Sequence, residues 1–381
     1  MSGMVLLLLC LGFGFSGYLL PYNASGQARL LRGADEISCI ACHNGGSGVT
    51  PAAPNVFSEI AKGGHPFATG NNAHDRGAVL NNNRHATCVD CHNPHGSIQA
   101  SVLGAPPLIR PSQTGALGIS AADGVTALNP ALNQYENCLR CHGSSSGKVA
   151  NTAKYGYLPV RLVTSGDPLN VISEFSGAAA SSHPVMHDRK SALAQPSLRS
   201  QMLNLDGTNS TRFVGMRILC TDCHNSDDNR EFGGTGPNGP HGSRFSHILE
   251  RRYEFSVAAV PGGLMSSLFP NPDLTVNGPY ALCGKCHDLQ QLLTNTTFTE
   301  HARHINDGFS CSACHTAHGM KTQTENETGE RMVSFDLNVV AADGALPISY
   351  NRALNSCALT CHNHTHGTIA AVTSLTVSKP K

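Results

Sequence analysis

The chain has 381 residues, enough for two domains of ordinary size, yet it has no Trp, 6% aromatic residues and 14% charged residues, with 39 Gly and 21 Pro. So little large apolar material excludes an ordinary side-chain core over this length, and so many turn formers exclude long regular elements. Lys+Arg and Asp+Glu balance at 26 each, with no basic run longer than two residues, which argues against a nucleic-acid partner. Fifteen Cys and 20 His at this density need a use: oxidation, metallation or covalent attachment.

In chain order, the first element is an apolar run from Met4 to Leu20, followed by Pro21 and small polar residues. Ala24-Ser25-Gly26 offers small residues to a signal peptidase, so residues 1–26 read as a signal peptide or a membrane anchor and the protein as exported. No Lys or Arg precedes the run, which keeps the anchor reading open. Cys10 lies inside it.

The remaining 14 cysteines all fall in pairs. Six are C-x-x-C-H: Cys39/Cys42-His43, Cys88/Cys91-His92, Cys138/Cys141-His142, Cys220/Cys223-His224, Cys283/Cys286-His287 and Cys311/Cys314-His315. The seventh, Cys357/Cys361-His362, has three intervening residues. This spacing suits c-type haem: the thiols add across the two vinyl groups, and the adjacent His becomes the proximal iron ligand. Zinc half-sites and redox disulfides also use C-x-x-C, but neither requires His directly after the second Cys. By chance, that His would recur six times in six at a frequency of roughly one in ten million or less. Seven covalent haems c are therefore expected, the seventh in a looser loop.

Thirteen His remain for seven distal positions. His95, His241, His318 and His366 each precede Gly; His65 and His183 each precede Pro; His85 and His304 lie shortly before the next motif. These eight are the distal candidates, with His301 a competitor of His304. His74, His187, His247 and His364 read as solvated loop residues or propionate partners. Surplus His over Met points to bis-imidazole, low-potential irons.

The stretch Cys91-His92-Asn93-Pro94-His95-Gly96-Ser97 resembles the doubled C-x-x-C-H multihaem cytochromes, abundant in metal-reducing bacteria of the Geobacter type. So does Tyr280 to Asp288, continuing through His301 and His304 to Cys311 and Gly319. The resemblance spans about Cys39 to Gly367 and implies outer-surface or extracellular electron transfer through a chain of bis-His haems. It also implies tolerance of widened motifs.

Proximal His positions are 49, 50, 82, 63, 28 and 47 residues apart. The longest step contains Ser144–Gly147 and a small-residue patch near Gly177–Ser182, giving a three-haem region at 27–150 and a four-haem region at 151–381. The expected fold is mostly irregular, with short α-helices and few β-strands organised around closely packed haems. A short helix is expected at each motif and near Ser243–Tyr253, and a strand at Met332–Val340.

The expected function is a heptahaem electron carrier, not an enzyme, working at the cell surface or alternatively in the periplasm. Its partners would be other cytochromes, copies of itself in a filament, or extracellular acceptors. Spanning a membrane would require a partner, as in an outer-membrane porin–cytochrome complex. The alternative is a reductase of nitrite, hydroxylamine or a sulfur oxyanion with one open iron, although no C-x-x-C-K occurs. A surface structural or storage protein is the third class.

Overall fold

The computed structural model describes residues 39–45, 53–65, 86–98, 103–144, 159–161, 169–189, 197–254, 272–294, 300–320, 330–344, 346–351, 356–361 and 364–367. The apolar run at 4–20 lies outside these residues, as do His85 and His362. Most described residues are turn, bend or irregular backbone, with short helices and strands between them, as the Gly and Pro content requires. No helix among the described residues is long and apolar enough to cross a membrane.

The α-helices are α1 (Val56–Gly63), α2 (Cys88–Cys91), α3 (Gln134–His142), α4 (Ile172–Phe175), α5 (Ala281–Gly284), α6 (Leu289–Thr294), α7 (Glu300–Asn306) and α8 (Cys311–Cys314). The strands are β1 (Gly118–Ile119), β2 (Ala127–Leu128), β3 (Ser181–Ser182), β4 (Gln201–Leu203), β5 (Asn209–Phe213), β6 (Gly319–Met320), β7 (Val340–Ala341), β8 (Ser349–Asn351), β9 (Ser356–Cys361) and β10 (His364–His366). All pair antiparallel. Strand β1 pairs with β2, and β4 with β5. Strand β3 joins the distant β6 in the register Ser182↔Gly319, and β9 pairs with β7, β8 and β10.

Burial is divided among three small clusters, each edged by motif cysteines. Ala313, Val333, Phe335, Val340, Ile348 and Leu359 pack beside Cys314, Cys357 and Cys361. Phe175, Val185, Met202, Ile218 and Phe232 pack beside Cys220 and Cys286. Tyr280, Leu289 and Ile305 pack beside Cys283 and Cys311. Between them runs a buried ionic network. Lys285 Nζ donates to Glu250 (2.8 Å) and to the Asp222 carbonyl (2.7 Å), and lies 3.5 Å from the centre of the Phe232 ring. Arg251 Nε donates to the other Glu250 oxygen at 2.8 Å. Glu250 and Arg251 are fully buried, and such charges are tolerated only because each is paired.

The segments before and after position 150 are stitched together. Gln134 Nε2 donates to Thr221 Oγ1 at 2.9 Å, Arg110 pairs with Glu231 at 2.5 Å, and Ser226 bonds to Glu59.

Three local expectations are corrected. Residues 332–340 form no strand: a 3₁₀ turn at Glu330–Met332 leads into irregular backbone, and only Val340 enters β7. Val333 to Asp336 are buried consecutively, which strand alternation cannot achieve, and the Asp336 carboxylate holds the loop by accepting from the Val160 and Asn338 amides at 3.0 and 3.1 Å. The helix expected near Ser243–Tyr253 is a single 3₁₀ turn, Ser246–Ile248, because the backbone beyond it is bound elsewhere. The Glu250 amide donates to the Cys223 carbonyl at 2.8 Å, and Ser243 Oγ donates to the Leu249 carbonyl at 2.6 Å. Finally, Cys357 and Cys361 lie on β9 rather than on a helical turn.

Candidate functional site

Each C-x-x-C-H motif closes the same turn. The amide of the motif His donates to the carbonyl of the first Cys in His43 (3.0 Å), His92, His224 and His287 (each 2.9 Å) and His315 (2.8 Å). His142 ends helix α3. Two sequence features fix these turns. Asp90 and Asp222, directly before the second Cys, accept from the amides of Thr87 (2.9 Å) and Leu219 (2.8 Å), capping the start of the turn. Glu136 caps α3 likewise through the Asn133 amide at 3.0 Å. After the turn the backbone extends, as at His92 (φ −124°, ψ 145°) and His315 (φ −113°, ψ 139°), so the imidazole leaves the turn sharply.

The first motif departs from the others in one respect. Cys42 is exposed, whereas Cys39 and every other described motif cysteine are partly buried. The capping carboxylate that Asp90 and Asp222 supply has no counterpart in this motif, where Ala41 precedes Cys42. The turn is tied to α1 instead, through the His43 carbonyl, which accepts from the Val56 amide at 2.9 Å.

Five of the motif imidazoles face a second imidazole. Ring centres are 6.4 Å apart for His142 and His65, 6.0 Å for His92 and His241, and 6.1 Å for His224 and His318. They are 6.5 Å apart for His287 and His183, and 6.3 Å for His315 and His301. Two imidazoles ligating one metal ion from opposite sides have centres about 6.3 Å apart, given metal–nitrogen bonds of about 2.0 Å. The donor set fits haem iron on a second count. Nδ1–H donates to a carbonyl in His92 (Ser112, 2.8 Å), His224 (His247, 2.8 Å), His315 (Arg331, 3.0 Å), His65 (Pro240, 3.1 Å) and His183 (Ala317, 2.7 Å). That tautomer leaves Nε2 with its lone pair free for a metal and also orients the ring.

Burial disfavours the charged form of several of these rings. It pushes His224, His287 and His301 down to about 4 and His241 down to about 3, with neighbouring imidazoles adding to the shift. Burial likewise pushes the Cys91 and Cys314 thiols up to about 12 and Cys286 up to about 11. The described motif cysteines, Cys42 included, are all free rather than disulfide-bonded, so each thiol remains open to thioether formation.

The His-Gly pairs acquire a physical reason. A Cβ on Gly242 would stand 1.8 Å from the Glu59 carbonyl oxygen, and one on Gly319 2.3 Å from that of Glu174. Only glycine lets those backbones approach closely enough to carry His241 and His318 to their partners.

Motifs adjacent in sequence lie near one another. His43 is within electrostatic reach of His92 and His241, and Cys91 of Cys138 and Cys141. Cys138 is in hydrogen-bond contact with Cys220, and Cys223 lies near Cys286. Cys283 contacts Cys311, and Cys314 lies near Cys357 and Cys361.

Of the eight distal candidates, His65, His183, His241 and His318 face motif imidazoles. His304 faces His366 instead, with ring centres 6.0 Å apart and His364 beside His366 at 4.7 Å. The partner of His315 is His301, three residues earlier on α7; spacing alone made the two nearly equivalent. His95 is exposed, with no imidazole facing it among the described residues. His247 contributes through its carbonyl to His224 rather than through its ring. His187 bonds to Ser182 Oγ at 2.6 Å. The chain matches no family model, no curated protein and no solved structure.

Proposed function

We propose that this chain is an exported heptahaem c-type cytochrome that carries electrons along a file of bis-His irons in outer-surface or extracellular electron transfer. One observation carries the reading: five motif histidines each face a second imidazole at the separation a single shared metal ion requires. Haem, when bound, supplies reversible one-electron chemistry, and its planar bulk supplies the interior that the side chains lack.

The chain's own residues would do the rest. The motif cysteines fix each macrocycle edge, and His43, His92, His142, His224, His287, His315 and His362 are the proximal ligands. His65, His241, His318, His183 and His301 close five of the distal positions. Backbone carbonyls would hold the Nδ1 protons of His65, His92, His183, His224 and His315, and the three apolar clusters would exclude water from the thioether edges they border. The first site, with Cys42 exposed, is the point in the file where an electron would enter or leave most directly. Five irons closed on both faces favour electron carriage over catalysis, which needs an open coordination position.

Partners under this reading are other cytochromes, further copies of the chain in a filament, extracellular acceptors, or a porin in a membrane complex. Mass spectrometry and a haemochrome assay of the protein made in a host competent for cytochrome c maturation test the cofactor count. Seven haems and uniformly low-spin electron paramagnetic resonance support the reading. Absence of covalent haem overturns it, and a stoichiometric high-spin signal transfers the case to a reductase. Negative-stain microscopy of the secreted material separates monomer from filament.

A further inference from the structure

One facing imidazole is held by a carboxylate. His318 Nδ1 lies 3.0 Å from a carboxylate oxygen of Glu174, whereas His65, His92, His183, His224 and His315 direct Nδ1 at backbone carbonyls. The placement is built into the fold. Helix α4 carries Glu174, and Gly319 allows the Glu174 carbonyl to lie against the backbone directly after His318. The β3–β6 pairing fixes that backbone, and the Phe175 ring packs on His318 with centres 4.9 Å apart. Both partners are partly shielded, the His318 side chain being 36% exposed and that of Glu174 23%.

We infer that Glu174 is a positioning and tuning residue that makes the centre between His224 and His318 the lowest-potential site in the file. This rests on the haem reading above. A carboxylate acceptor draws the Nδ1 proton more strongly than a carbonyl does, giving the ring imidazolate character and making Nε2 a stronger donor. A stronger axial donor stabilises ferric over ferrous iron. The centre belongs to the fourth of seven motifs, so the lowest potential would fall at the midpoint of the file, where it would set the barrier for electron passage in both directions.

The test compares the full-length holoprotein with Glu174→Gln, which is isosteric but uncharged, and with His318→Met as a marker of the same centre. Spectroelectrochemical titration is run with haem count and low-spin signal as parallel readouts. In Glu174→Gln, the component of lowest potential should rise by at least tenfold in its reduction equilibrium, about 59 mV for one electron. The same component should move in His318→Met, while haem count and low-spin signal in Glu174→Gln match the parent. Superimposable titrations, movement of a different component, or loss of a haem in Glu174→Gln would each overturn the inference. A parent protein without covalent haem would instead defeat the reading on which it rests.

Discussion

The six C-x-x-C-H turns and the widened seventh motif differ by a single residue, and that residue changes the backbone. With two intervening residues, the His amide meets the carbonyl of the first Cys four positions earlier, and the turn closes. With three, His362 stands five positions after Cys357 and cannot make the same bond. The segment instead enters β9, where Tyr350 pairs with Cys357 and His364 with Cys361. On a strand the two cysteines share one face but are separated by about 13 Å. That is too far for both to meet one macrocycle edge, so loading this site requires β9 to bend. On the proposed haem reading, the six turns would be shaped for the cofactor before it arrives, and the seventh would be reshaped by it.

The largest effect should come from removing a motif pair at the centre of the file and comparing it with the seventh. Cys220→Ser with Cys223→Ser removes the thioethers of a turn that contacts Cys138 on one side and Cys286 on the other. We expect failure to accumulate folded holoprotein, read by secretion yield and haem stain. Cys357→Ser with Cys361→Ser should leave a folded protein one haem lighter. Equal damage from the two variants would break the distinction between shaped and reshaped sites.

A smaller effect is expected where charge joins two turns. Lys285 ties the fifth motif to Asp222 of the fourth and to Glu250. Lys285→Met leaves the Asp222 carbonyl without its ammonium donor and Glu250 with Arg251 and Asn229 alone. Breaking one partner of a buried pair costs about 3–5 kcal/mol, and the remaining contacts should hold the loss near the lower end. Thermal unfolding checks this, and an unchanged midpoint would show that the turns stand without the network.

Much of this was legible in sequence because covalent chemistry leaves strict spacing. The motif cysteines, their adjacent His and the irregular fold followed from local pattern alone. So did His65, His183 and His241, flagged by the Pro or Gly beside them, although the backbone contacts that require Gly242 and Gly319 were not. Pairing was not legible. His92 finds its partner 149 residues away at His241, and nothing local distinguishes His301 from His304 on one short helix. The exposure of Cys42 was hidden as well, because an identical motif says nothing about which apolar cluster, if any, will border it. The strand at the seventh motif was missed because the motif outweighed the local run Ser356 to Cys361, whose partners β7 and β8 are set by tertiary pairing. The buried Lys285 lay inside a cofactor motif, where its charge suggested solvent.

Spacing itself can be edited. Deleting Thr360 converts Cys357-Ala-Leu-Thr-Cys361 into a two-residue spacing, which should restore the closed turn at the expense of β9. Haem occupancy of the seventh site should rise to match the other six, read as the fraction of full-mass holoprotein under limited haem supply. Unchanged partial occupancy would show that strand pairing, not spacing, governs the site. Full occupancy in the parent would show that β9 bends without cost.

The mildest perturbation is acid. His224, His287 and His301 are held down to about 4 and His241 to about 3, against about 6.5 in the unfolded chain. Between those values the unfolded chain takes up protons that the folded chain refuses, so stability must fall as pH drops from about 6.5 toward 4 and level off below. Iron on Nε2 excludes the proton too and acts in the same direction. His366, on β10 beside the strand of the seventh motif, is also lowered by partial burial, with His364 and His304 beside it. Acid should therefore reach His366 before the buried pairs. Low-spin signal followed by pH titration should lose one component first and the rest together near about pH 4. A single concerted loss would mean that the seventh centre, once formed, is held as firmly as the other six.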